Sequence, residues 1–241
     1  VPEYIRVGPW NRMVPFFMIG VIGILAYIKP TSLIGDLEVV NPELYSYWWF
    51  YNLILGAWML GSLIFWLKDK PFIIFAYTIQ SWLYITLRHC LTALAPFLSE
   101  THFLLKLNEL LRFQALLSAT ITFTLWNFAI GPAIYFLVKT PEKRQSFIDF
   151  CFSFKLIQMH VFNLFYAVWN TVSISPRRLF TFRDLWFAMC LACMYMCFYF
   201  LVLDRLGLHL YPIFSPRFKY TPVVICLSLM SIYGLFNIWN K

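Results

Sequence analysis

The sequence predicts an all-α protein: a polytopic transmembrane helix bundle of about seven spans. Composition is the first reason. Of 241 residues, 61% are hydrophobic and only 12% are charged, against roughly 25% charged in an ordinary soluble domain. A water-soluble core of this length has no room for so much apolar surface, and an aromatic share of 21% excludes disorder. The second reason is that the charges stand between apolar runs, most of about the 17–25 residues a helix needs to cross the hydrocarbon. The third is that no run keeps the sustained alternation of a barrel strand.

The runs follow one another with short breaks. Met13–Ile28 lies between Arg12 and Lys29; it is about one turn short, with Trp10 and Tyr27 placed to anchor it at the interfaces. Lys29-Pro30-Thr31 follows it where a signal peptide would carry small residues for cleavage. Leu44–Leu67 lies between Glu43 and Lys68, and Pro71–Leu87 continues past Arg88 to about Ser99. Phe113–Val138, Leu156–Pro176, Leu185–Leu203 and Tyr220–Asn240 complete the seven. Loops this short leave a single transmembrane domain over residues 1–241, so function must sit between the helices or at their ends.

The formal net charge of +8 comes from basic residues at helix ends, where they anchor a membrane protein. With no basic helix or aromatic-interleaved patch, membrane lipids are the expected partners and nucleic acid is not. The basic residues weakly favour a cytosolic N-terminus, with ten on its face (Arg6, Arg12, Lys68, Lys70, Lys139, Lys143, Arg144, Arg205, Arg217 and Lys219) against seven on the other (Lys29, Lys106, Arg112, Arg177, Arg178, Arg183 and Lys241). Cys190, Cys193 and Cys197 recur at i, i+3 and i+7 without charged neighbours. Such a row packs a helix face, and neither a metal nor a redox role is expected of it.

Polar residues inside the runs carry more information, because hydrocarbon makes them costly unless something satisfies them. In the fifth run His160, Asn163, Asn170 and Thr171 fall within about 100° of arc, with Trp169 on the opposite side. That stripe should face the bundle interior. Gln80, Arg88 and His89 interrupt the third run; Gln114, Thr120, Thr122, Thr124 and Asn127 interrupt the fourth. Hydrogen bonds between helices explain many such residues. A histidine near mid-membrane also suits general base work. Reading His89 and His160 as haem ligands would rest on two histidines alone, so no cofactor is expected.

Several spacings resemble those of a known family. Lys70 and Gln80 stand ten apart, Arg112 opens the next helix, Met159–His160 follows at a long interval, and Gly207 through Tyr211 and Pro212 form a Gly-x-x-x-Tyr-Pro segment. Over about residues 70–241 this order resembles the androgen-induced gene one family of integral membrane proteins, including its uncharacterised fungal-type members. Residues 1–69 are then an N-terminal two-helix addition.

The resemblance implies a hydrolase of fatty acid esters of hydroxy fatty acids, working in an intracellular membrane such as the endoplasmic reticulum with a Thr nucleophile and a His base. The His carries over to His160, and Gln80, Arg112, Asn163 and Tyr211 become candidate binding residues. The nucleophile's position is Ile73, and Phe113 stands where the family has Asp. Counted along one continuous helix, Ser81 lies about 80° from Ile73 and Thr78 about 140°; these are the candidate replacement hydroxyls. The alternative is a non-catalytic lipid-binding or structural subunit, with membrane proteins as its partners.

Overall fold

The computed structural model describes residues 8–33, 37, 39, 42–99, 102–172 and 178–240. Arg6, Arg177 and Lys241, which enter the charge division, and Pro176, the expected end of the fifth run, lie outside the described residues. Among the described residues every regular element is helical. In chain order the helices are α1 (Met13–Tyr27), α2 (Tyr47–Asp69), α3 (Tyr77–Leu94), α4 (Phe103–Leu125), α5 (Gly131–Leu137), α6 (Pro141–Cys151), α7 (Phe154–Ile157), α8 (Asn163–Val172), α9 (Phe182–Phe198) and α10 (Thr221–Trp239). π-helical turns join α4 to α5 at Trp126–Ile130 and α7 to α8 at Gln158–Phe162, and a third, Tyr199–Leu203, extends α9.

Among the described residues four helical segments are long and apolar enough to cross a membrane: Tyr47–Lys68, Phe103–Leu137, Phe182–Leu203 and Thr221–Trp239. A fifth span results if Pro141–Cys151 and Phe154–Val172, bent by 57°, form one crossing. This is the architecture of an integral membrane helix bundle. The chain divides into two compact units, Ile34–Arg178 and a second made of Val1–Leu33 with Leu179–Lys241.

In the larger unit α2 starts on a side-chain cap, Ser46 Oγ accepting from Trp49 N at 3.2 Å. Two indoles then fasten α2 to α3 in antiparallel order. Trp49 Nε1 donates to Ala93 O at 2.8 Å, and Trp82 Nε1 to Met59 O at 3.1 Å. Gly56 permits the close approach between them, since a Cβ there would stand 3.2 Å from Cys90 N and 3.3 Å from His89 C. A short 3-10 turn, Ala95–Phe97, precedes α4, which packs back along α3.

Two sequence expectations need correction here. Pro71 and its neighbours do not continue α3: the chain makes a 3-10 turn at Pro71–Phe75 and passes through extended Ala76 (ψ 134°) before α3 begins. Proline lacks an N–H and restricts the residue before it, so α2 stops at Asp69. Lys70 and Ile73 therefore lie off the helix that carries Gln80, and angles counted from Ile73 along one helix do not apply. The fourth helix, in turn, begins at Phe103 rather than Phe113. Glu109 meets Arg112 at 4.0 Å and Arg178 at 3.8 Å, so these charges pair inside the bundle instead of ending the helix.

Gly131 and Pro132 explain the break between α4 and α5. Pro132 has no N–H to continue an α-helical ladder. Gly131 N–H reaches back to Trp126 O, and a Cβ at Gly131 would stand 2.9 Å from that oxygen. The turn widens as a result. α6 begins on a Thr140 cap with Pro141 in the first turn and buries none of its side chains; the chain bends after it into the helical segment that starts at Phe154.

The smaller unit holds α1, α9 and α10. A Thr181–Asp184 capping box starts α9, with Thr181 N donating to Asp184 Oδ2 at 2.7 Å. Trp186 Nε1 donates to Leu25 O at 2.8 Å, tying α9 to the end of α1. At the opposite end of the unit Asp204 is buried and accepts from Arg217 Nη1 and, at 3.0 Å, from Trp10 Nε1. Asn240 closes the last helix onto Phe180, donating to its carbonyl at 2.9 Å and accepting from its N–H at 2.8 Å. Cys193 is buried and Cys190 and Cys197 half-buried, and an apolar cavity of about 20 Å³ lies beside Cys193, Met18 and Ile225.

Replacing Gly56 by Val should lower stability by about 1–3 kcal/mol, the usual cost of overpacking a helix contact. Gly61, whose Cβ would meet nothing within 4 Å, should accept Ala with no loss. Thermal unfolding of the two variants in detergent checks this; equal losses at both positions would contradict the close α2–α3 approach.

Candidate functional site

The facing π turns of the larger unit bring His160 and Trp126 together. Their rings stack with centroids 4.3 Å apart and planes 25° from parallel. His160 Nδ1 lies 3.1 Å from Leu156 O, and because a carbonyl only accepts, Nδ1 is the protonated nitrogen. Nε2 is then the lone-pair nitrogen of the ring. Asn127 Nδ2 donates to His160 O at 3.1 Å and to Phe123 O at 2.8 Å, meeting backbone oxygens at the two widened turns. π-helical turns of this kind are frequent at functional sites because they re-aim a side chain out of the regular ladder.

One turn along the same face, Asn163 Nδ2 donates to Ser81 Oγ at 3.0 Å, with both residues fully buried. Two turns further, roughly 10 Å, is a layer built around Arg88. This side chain is 1% exposed; its Nε donates to Asn170 Oδ1 at 2.7 Å and its Nη1 to Asn108 O. Asn52 Oδ1 accepts from Asn170 Nδ2 at 3.0 Å and from His89 Nδ1 at 2.8 Å. Asn108 Nδ2 continues the network to Thr92 Oγ1 at 2.9 Å. Beyond it Arg112 Nη2 donates to Thr171 O at 3.3 Å, answering a carbonyl in the last turn of α8. A polar column thus runs between α3, α4 and α8.

All four members of the fifth-run stripe, His160, Asn163, Asn170 and Thr171, are buried, and Trp169 is 47% exposed on the other side. Arg112 is buried within α4, not at its start. Ser81 belongs to the column through Asn163, but neither Ser81 nor Thr78 bonds to His160. Thr78 and Gln80 are half-buried in the first turn of α3, with Gln80 Nε2 3.5 Å from Ile74 O. Ile73 is half-buried in the preceding 3-10 turn. Tyr211 belongs to the smaller unit, where its N–H donates to Tyr199 Oη at 3.1 Å and its carbonyl accepts from that hydroxyl at 2.9 Å.

Sequence reasoning missed Asn52, Asn108, Glu109 and Trp126. Asn52 is the one amide side chain between Ser46 and Ser62, and a lone amide in such a run signals a buried partner. Trp126 carried a weaker signal, the Gly-Pro pair a turn further on. Thr122 was legible only as one of several hydroxyls. In the structure it is 5% exposed and its Oγ1 has no hydrogen-bond partner.

Chemically, the column offers an oriented imidazole and buried hydroxyls and amides in an apolar bundle. Among the described residues no three His, Cys, Asp or Glu side chains stand together as metal ligands. The Arg88 layer is a device of registration, holding four helices through three asparagines. Asn170→Leu should therefore cost about 1–3 kcal/mol by stripping partners from Arg88 and Asn52, read as a lowered melting temperature. A variant as stable as the parent would remove Asn170 from that role.

No family profile, curated protein or solved structure matches this chain.

Proposed function

We propose that the protein is a membrane-embedded hydrolase of long-chain fatty ester lipids, acting on esters of hydroxy fatty acids, with His160 as general base. The observation that carries this reading is the imidazole itself. Its Nδ1–H is committed to Leu156 O and its plane to Trp126, which leaves Nε2 as an oriented acceptor inside an apolar bundle. A general base needs that combination of correct tautomer and fixed aim. A lipid ester reaches such a site laterally from the bilayer, without passing through water. An intracellular membrane such as the endoplasmic reticulum belongs to the same reading, on the strength of the sequence resemblance.

The reading takes seven crossings: α1, α2, α3, α4 with α5, the bent α7–α8 segment, α9 and α10. Support for α3 comes from its packing. It runs antiparallel along both α2 and α4, each part of a membrane-length segment, and its polar side chains turn inward. Substituted-cysteine accessibility should put Lys68 and Lys143 on one face of the membrane and Lys106 and Arg178 on the other. Finding Lys68 and Lys143 on opposite faces would remove α3 or the α4–α5 segment as a crossing.

A second reading, a lipid-binding or structural subunit without catalysis, is favoured by one observation: the hydroxyl of Ser81 is held by Asn163 rather than by His160. Turnover separates the two. Protein reconstituted in phosphatidylcholine vesicles should hydrolyse a long-chain fatty acid ester of a hydroxy fatty acid. His160→Ala should lower kcat by about 10²–10⁴ with its helical circular dichroism unchanged. No hydrolysis by the native protein, under conditions where a hydrolase of the resembled family is active, favours the non-catalytic reading.

A further inference from the structure

We infer that Thr122 is the nucleophilic hydroxyl that works with His160, an assignment that rests on the hydrolase reading above. Three other helical threonines spend their hydroxyls on the carbonyl four residues back: Thr86 on Trp82 O and Thr120 on Leu116 O, each at 2.8 Å, and Thr124 on Thr120 O. This is the ordinary fate of a threonine in an apolar helix. Thr122 differs from these three. It is buried, makes no such bond, and has no other hydrogen-bond partner. A buried hydroxyl without a partner is costly, and a site that keeps one invites a role for it.

Its position supplies that role. Thr122 stands one turn before Trp126, about 40° from it around α4, and side chains four apart on a helix are neighbours. Trp126 stacks on His160, and the π turn that carries His160 packs against α4 as well as α3. Thr122 and His160 do not bond one another in this structure. Catalytic hydrogen bonds are often formed only when substrate is bound.

The chemistry balances with water as the second reactant. Thr122 Oγ1 attacks the ester carbonyl carbon while His160 Nε2 takes its proton. The tetrahedral intermediate collapses, the alcohol leaves with that proton, and the acyl group remains as an ester on Thr122. Water then attacks the acyl-threonine, its proton passing through Nε2 to Thr122 Oγ1, and the fatty acid is released.

A fluorophosphonate probe, applied to the reconstituted protein and followed by peptide mass spectrometry, tests the assignment. The expected result is a single adduct on Thr122, lost in Thr122→Val and in His160→Ala and kept in Thr122→Ser. Ester turnover should fall by about 10²–10⁴-fold in Thr122→Val, and the double variant should be no slower than either single one, because the pair acts as a unit. Since the hydroxyl has no partner, Thr122→Val should melt no lower than the parent. Hydrolysis that needs His160 but survives Thr122→Val, or an adduct on another hydroxyl, overturns Thr122 and leaves the hydrolase reading standing. Absence of both labelling and turnover in the native protein overturns the two together.

Discussion

A guanidinium enclosed by apolar helices has to be met by protein groups, because hydrocarbon supplies none. Arg88 imposes that requirement on the larger unit, and its neighbours are arranged around it. One nitrogen takes a backbone carbonyl of α4 and another an amide oxygen of α8. Asn170 then shares Asn52 of α2 with His89 of α3. Turning α8 by a single residue would swing Asn170 about 100° away and strip the layer of its shared amide. Axial and rotational register of four helices is thereby specified in one plane, which greasy side chains alone do less sharply.

Everything deeper in the unit inherits that register. Ser81 and Asn163 lie seven residues from Arg88 and Asn170 respectively, on the same faces, so the second pair meets because the first does. The π turns then break the regularity where α4 and α8 would otherwise present ordinary side chains. At one of them the cause is local, a glycine with no room for a Cβ followed by a proline with no N–H. At the other, around His160, no glycine or proline is involved. The widened turn there is stabilised from across the interface by Trp126 and Asn127. Local sequence and tertiary packing thus reach the same geometry on opposite sides of one contact.

The class of fold was legible from composition and from the placing of charges, and the inward face of the fifth run from four polar residues on one arc. Helix limits were less so, for identifiable reasons. Treating every charge as a boundary works when the charge is solvated. It fails at Glu109 and Arg112, whose pairing depends on each other and on Arg178, far along the chain. Pro71 did carry the signal that α3 starts late, but the apolar stretch from Phe72 to Ala76 behind it reads as part of the same run. The pairing of Ser81 with Asn163, and of His160 with Trp126, is written in the relative rotation of three helices and in no local pattern.

The smaller unit is assembled from two segments with the whole larger unit between them. Trp186 reaches Leu25 across 161 residues of sequence, and Asp204 reaches Trp10 across 194. During synthesis α1 emerges long before α9 and α10, while the whole larger unit is made in between. α1, only 15 residues long and with Asn11 and Trp10 at its entrance, must therefore wait in the membrane or at its surface without its partners. Loop closure over such a length is slow although its equilibrium cost rises only logarithmically. α1 accordingly completes its packing only after α9 and α10 have been made. A chain truncated before Asp204 leaves the entrance of that helix without the carboxylate that accepts from Trp10.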